Sequence, residues 1–400
     1  MRTGTLLFLL IPLILTAGTA SAKRRHMKWQ PLAKAPYSAW SGEIEVKIRE
    51  GHTISLDGGI VRDRKGLALL DLPKIMGTLP LMKVRQAFGL SLPLVRAMVK
   101  RARSRCRCEV ADLSLYVTFA TSASDSERYA LLTALNKHPA VEVAYPKNRR
   151  PTSPVDIDPP TPDYADDQDY FGDAPSGIQL SAARALPGGY GEGIRFVDIE
   201  VNFVPGHEDL EACQDALIPG VTGLYDDPDY TAHGTAVLGI LFGGDNGYGV
   251  TGSIHRASCH FSPDFSDSWG YDVARAITNA MAHVEDPAVL LLEAQDSGPN
   301  YDPNTGVGLV PSEWLPSVYD AIALAVASGY VVVEAAGNCY EDLDDPIYEG
   351  AFDPATHDSG AIMVGAGTPP AADGSGRIRE YYSNYGARVD VHGWGSYVYT

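Results

Sequence analysis

The sequence predicts an α/β fold, a parallel sheet with helices on both faces, preceded by a small α+β unit. Two patterns carry this prediction. From about residue 171, apolar strand-like segments alternate with amphipathic helical ones, as in a sheet buried on both faces. Before residue 148, apolar and polar residues alternate singly, as in half-buried strands. Charge divides at the same place. Residues 1–150 hold 25 Lys and Arg against 11 Asp and Glu, and residues 151–400 hold 7 against 39. A basic front and an acidic back are expected to attract each other.

In chain order, residues 1–22 read as a secretory signal. Arg2 starts it, an apolar run from Leu6 to Leu15 follows, and Ala20-Ser21-Ala22 is a small-x-small cleavage site. Residues 23–147 form the basic front, with a small α+β body expected in it. Strands are expected over 42–48, 113–119 and 141–145. A helix is expected over 126–138 with Tyr129, Leu132 and Leu135 on one face, stopped by Pro139. Residues 60–105 give no clear assignment. Residues 148–170, rich in Pro and Asp, predict an extended linker and a processing site.

In the body, residues 171–400, strands are expected over 193–199, 288–292, 331–333 and 361–364. A helix opens at His233, with Val237, Ile240 and Leu241 on its buried face. Helices over 272–284 and 317–328 follow, the second ended by Gly329. In such sheets ligands bind beyond the carboxyl ends of strands.

Three residues stand at such ends: Asp198 closing a strand, His233 opening a helix, and Asn338 following a strand. A carboxylate can fix the tautomer of a histidine, and a side-chain amide can donate to an oxyanion. Gly234 removes a side chain beside the ring and leaves room for a substrate backbone.

Asp198 in the 191–198 block, His207-Glu208-Asp209-Leu210, His233-Gly234-Thr235, Ala335-Ala336-Gly337-Asn338 and Tyr382-Ser383-Asn384-Tyr385-Gly386 resemble, in order, the blocks of subtilisin-like serine proteases. The resemblance covers residues 171–400, and the helix, strand and Tyr-Pro before residue 147 resemble that family's inhibitory pro-peptide. It implies a serine-type endopeptidase with Asp198 as triad acid, His233 as general base and Asn338 as oxyanion donor. It also implies a calcium loop held by the Asp209 and Asn246 side chains and the carbonyls of Gly244, Tyr248 and Val250, against a plain Gly-rich turn as the alternative. No cofactor is required for the chemistry.

The sequence departs from the family in three places. Ile199-Glu200 follows Asp198 where a small residue and Gly are usual. Glu293 to Gly298 replaces the usual substrate wall, and its acids favour basic substrates. No Gly-Thr-Ser occurs in the 400 residues; Ser297, Ser383 and Ser396 lack the nucleophile's setting. The expectation is a chain truncated before its nucleophile and therefore inactive.

An acidic body repels phosphate, which argues against nucleic acid as a partner. No segment after the signal is long and apolar enough to span a bilayer, so an exported product is expected. Its partners are protein or peptide substrates, and the pro-region serves as intramolecular inhibitor. Two of Cys213, Cys259 and Cys339 are expected to pair, leaving one, while Cys106 and Cys108 stay open. A non-catalytic peptide-binding protein on the same fold is the alternative. A metal enzyme using His255 and His260 is a third reading, but no Glu stands at zinc-site spacing.

Overall fold

The computed structural model describes residues 40–106, 108–148, 161–370 and 377–400. The expected signal peptide and residues 149–160 of the linker lie outside them.

The basic front folds as four antiparallel strands in the order Met82–Gln86, Tyr116–Ala120, Trp40–Ile48, Val141–Asn148. Alternation in Trp40–Ile48 works as expected on one face, where Ile44, Val46 and Ile48 are fully buried. The polar face is buried too, with Glu45 at 1% and Lys47 at 0% exposure. The helix Asp125–Asn136 starts at a Ser124/Glu127 capping box and buries Leu131, Leu132 and Leu135. Tyr129, expected on the buried face, is exposed, and Leu131 is buried. Ser55–Asp57 and the strands Ile60–Arg62 and Ala68–Asp71 of the unassigned stretch form a meander, and the helices Leu72–Met76 and Leu92–Cys106 follow.

The acidic back is built on a six-stranded parallel sheet. Its order is Val391–Trp394, Ile362–Gly367, Val331–Ala335, Val289–Leu292, Arg195–Glu200, Ser258–Pro263. On one face Val197, Ile199, Leu290 and Leu292 share a core with the helices Val273–His283 and Pro316–Ser328. On the other, Phe196, Val289 and Leu291 pack with Leu238 and Phe242 of the helix Pro228–Phe242. Asp272 caps the first of these helices, and Gly329 at φ 100° ends the second.

The front's polar sheet face lies on Val273–His283 and Pro316–Ser328. Lys47 Nζ sits 2.9 Å from Asp320 and 3.2 Å from Glu142, and the Tyr116 hydroxyl donates to Asp320 at 2.7 Å. Lys147 pairs with Asp272, while Arg101 and Arg105 both reach Asp286. The expected attraction between the halves therefore takes the form of three cation clamps. Burial opposes the charge on Lys47 and Lys147, but the facing carboxylates outweigh it and hold both ammonium groups above their ordinary value.

Residues 161–171, expected in part as linker, lie on the body. Tyr164 donates its N–H to Gly249 O at 2.8 Å, and the buried Tyr170 donates its hydroxyl to Tyr399 O at 2.6 Å. Disulfides join Cys213 to Cys259 and Cys106 to Cys108, and Cys339 is a free thiol. Among the described residues no helix is long and apolar enough to cross a membrane.

Candidate active site

The strand that was expected to close at Asp198 runs on to Glu200. Side chains on one strand face repeat every second residue, so Asp198 and Glu200 point the same way, toward the helix Pro228–Phe242. Asp198 lies inside the sheet, in register with Leu291 and Phe261 and fully buried. Glu200 lies at the carboxyl end. Its Oε2 is 2.7 Å from His233 Nδ1, with the Glu200 side chain wholly buried and that of His233 32% exposed. The carboxylate at His233 Nδ1 is thus Glu200, two residues past the expected Asp198. The physical reason is position along the strand: Glu200, its last residue, lies level with His233 in the second turn of the helix.

The helix starts at Pro228 with Asp227 as its cap, which puts His233 in the second turn rather than the first. Its buried residues are Tyr230, Gly234, Leu238, Gly239 and Phe242; Val237, Ile240 and Leu241 are only half-buried. Gly234 is buried, and a Cβ there would lie 2.8 Å from Glu200 Cγ and closer still to Asn202 O. The glycine therefore makes room for the strand that carries Glu200. That replaces the expected role of admitting a substrate backbone.

Asn338 is exposed, three residues past the end of Val331–Ala335. Because the strands are parallel, Glu200 and Asn338 stand at the same edge of the sheet, two strands apart. Between them, the chain leaving Val289–Leu292 passes through Glu293 into the hairpin Gln295–Asp302/Val307–Pro311. Gln295 Oε1 accepts the Asn338 N–H at 3.0 Å. A buried charge network lies behind this edge. Glu313 bonds Arg388 at 2.6 Å and donates its backbone N–H to Glu334 at 2.8 Å. Burial and the neighbouring Glu313 push the Glu334 carboxyl well above the usual range.

No protein-family model and no curated protein matches the sequence. Similar solved structures are proteases. One is a protease from Pseudoalteromonas arctica PAMC 21717, 22% identical over 59% of this chain and 72% of that one, with a TM-score of 0.41. Another is the nisin leader peptidase NisP from Lactococcus lactis, 22% identical over 58% and 69%, with a TM-score of 0.38. A third is the epidermin leader peptide processing serine protease EpiP from Staphylococcus aureus, 14% identical over 88% and 74%, with a TM-score of 0.46.

In the expected calcium loop Asp209 accepts three N–H bonds: from Gly244 N at 3.1 Å, Asn246 Nδ2 at 2.8 Å and Val250 N at 2.8 Å. Asn246 Oδ1 in turn accepts the Tyr248 N–H. The carboxylate is the hub of a Gly-rich turn, and burial raises its pKa despite those donors. His255 bonds Gly252 O and packs on Tyr190, while His260 faces Ser258. Among the described residues no cluster of three His, Cys, Asp or Glu could hold a metal.

The candidate serines sit in structural settings. Ser383 is buried and bonded to Ala366 N and Asn384 O, Ser396 donates to Glu380, and Ser297 is buried in the hairpin. Of the acids near the cleft, Asp296 is buried and Glu293 half-buried. Glu200, in contact with His233, is not singled out by the sequence motifs. The signal for it was the run Phe196 to Val201, long enough to carry the strand past Asp198.

Proposed function

We propose that this chain is the precursor of a secreted subtilisin-like serine endopeptidase that hydrolyses peptide bonds in proteins. The observation that supports this best is the 2.7 Å contact of His233 Nδ1 with a buried Glu200, at the sheet edge that also carries Asn338. With Nδ1–H donating to Glu200, Nε2 is left unprotonated and can take a hydroxyl proton. Glu200 then stabilises the imidazolium. The Asn338 amide donates to the oxyanion as it forms. Residues 40–148, held by the Lys47, Lys147 and Arg101/Arg105 clamps, act as the intramolecular inhibitor. The 400 residues offer acid, base and oxyanion donor but no Gly-Thr-Ser, so by themselves they hold peptides without forming an acyl-enzyme.

The test is casein hydrolysis and fluorophosphonate labelling of the 400-residue chain, beside His233→Ala. Neither hydrolysis nor labelling is expected. Hydrolysis that falls by roughly 10⁴–10⁶ in His233→Ala would put the nucleophile among these residues. Hydrolysis indifferent to His233→Ala would overturn the protease reading of this site.

A further inference from the structure

Asn338 rides on a turn whose backbone is held by two side chains and by main-chain groups from elsewhere in the fold. Asn384 is fully buried. Its Oδ1 accepts the N–H groups of Cys339 at 3.0 Å and Glu341 at 2.9 Å. Its Nδ2 donates to Ala336 O and Leu309 O, both at 2.8 Å. An asparagine amide has two donors and two acceptor lone pairs, so all of its capacity is spent here. Its own backbone N–H goes to Gly337 O at 3.0 Å. Gly337 has φ 95°, and a Cβ there would run into Asn384 Nδ2. Gln295 takes the N–H of Asn338 itself, and Tyr382 O takes that of Tyr340 at 2.8 Å. With the backbone on either side tied down, the Asn338 side chain is the exposed group of a fixed mount.

We infer that Asn384 and Gln295 are positioning residues for the Asn338 amide, Asn384 by bracing the turn and Gln295 by anchoring Asn338 itself. A buried amide satisfied on all sides rigidifies what it touches, and an oxyanion donor is effective only when its geometry is fixed beforehand. Asn384 also ties the turn to Leu309 in the hairpin, so strand end, hairpin and the 382–385 segment move as one piece. The catalytic meaning rests on the protease reading above; the positional claim does not.

The experiment is nuclear magnetic resonance on the ¹⁵N-labelled 400-residue chain. The probe is the Asn338 side-chain amide, assigned by its loss in Asn338→Ala. Asn384→Asp keeps the acceptor oxygen and replaces the donor with an oxygen facing Ala336 O and Leu309 O. Gln295→Leu removes the acceptor, and Gln295→Glu restores one. The Asn338 amide resonances are expected to shift or broaden in Asn384→Asp and Gln295→Leu and to return in Gln295→Glu. Exchange at the Cys339 and Glu341 amides should quicken about tenfold in Asn384→Asp, while that of Val331–Ala335 stays the same. An unmoved Asn338 signal, or equal quickening along Val331–Ala335, would overturn the inference. If Asn384→Asp does not fold, the Gln295→Leu and Gln295→Glu pair decides for Gln295 by the presence or absence of rescue, and Asn384→Ser, which keeps a small polar group, decides for Asn384. A failed protease reading looks different: hydrolysis indifferent to His233→Ala, with these positional shifts intact.

Discussion

Replacing Asp320 with Asn tests what holds the front on the back. Lys47 is fully buried and Asp320 is 7% exposed, with 2.9 Å between Nζ and Oδ2. Removing one partner of a buried ion pair costs about 3–5 kcal/mol, because the other charge is left behind in a poor solvent. Here Glu142 at 3.2 Å and Glu50 at 3.8 Å remain beside the ammonium, which places the loss near the bottom of that range. The Tyr116 hydroxyl keeps an amide oxygen in place of a carboxylate, a weaker acceptor. A loss of about 3 kcal/mol corresponds to roughly a hundredfold easier opening of the interface. Hydrogen exchange along Pro316–Ser328 in the full chain reads that opening directly. The Lys47→Met/Asp320→Leu pair should recover part of the loss, since it removes the stranded ammonium, while the Tyr116 hydroxyl gives up its acceptor and Glu142 its cation. A loss under about 0.5 kcal/mol in Asp320→Asn, or a double variant no better than the single one, would refute the reasoning.

Three further outcomes are expected. Gly234→Ala should lower the thermal midpoint by an amount equivalent to about 1–3 kcal/mol, because the new Cβ meets Glu200 Cγ and Asn202 O; an unchanged midpoint would contradict the close approach of strand and helix. The Glu334 carboxyl is raised in the fold, so the folded state binds the extra proton. Its contribution is full below the ordinary value of 4.5 and is lost as pH rises above it. Urea midpoints from pH 4 to 8 should therefore fall less in Glu334→Gln than in the unmodified chain. Lys47 and Lys147 are likewise raised from 10.5, so their clamps are complete below that pH and fail only as it climbs further. Tyr116 and Tyr145, raised by burial and nearby carboxylates, share that sign. Their ultraviolet ionisation should coincide with opening of the interface at alkaline pH and not precede it.

Much of the fold was legible because strands and helices with one or two buried faces write their period into the chain. The run Leu290 to Leu292, the helix faces around Ile277 and Ile322, and the stop at Gly329 are local signals, and local signals survive folding. The charge split also carried real content, in the form of Lys47 against Asp320 and Arg101 against Asp286. The site was legible only in part. His233 and Asn338 stand out through their neighbours in sequence, but the carboxylate partner depends on where a strand ends. A difference of two residues exchanges Asp198 for Glu200 while keeping both on the same face. The role of Gly234 was hidden for a related reason, since what fills the space at its Cα comes from Glu200 and Asn202, more than thirty residues earlier. Asn384 was visible as part of a block, but its four bonds join residues 309, 336, 339 and 341, and no spacing rule brings those together.

The most direct test concerns the carboxylate at His233. In ¹⁵N-histidine-labelled protein, a hydrogen-bonded Nδ1–H of His233 should give a low-field proton resonance, with Nε2 unprotonated at neutral pH. The prediction is that Glu200→Gln abolishes this resonance and Asp198→Asn leaves it in place. Its survival in Glu200→Gln together with its loss in Asp198→Asn would contradict the site described above.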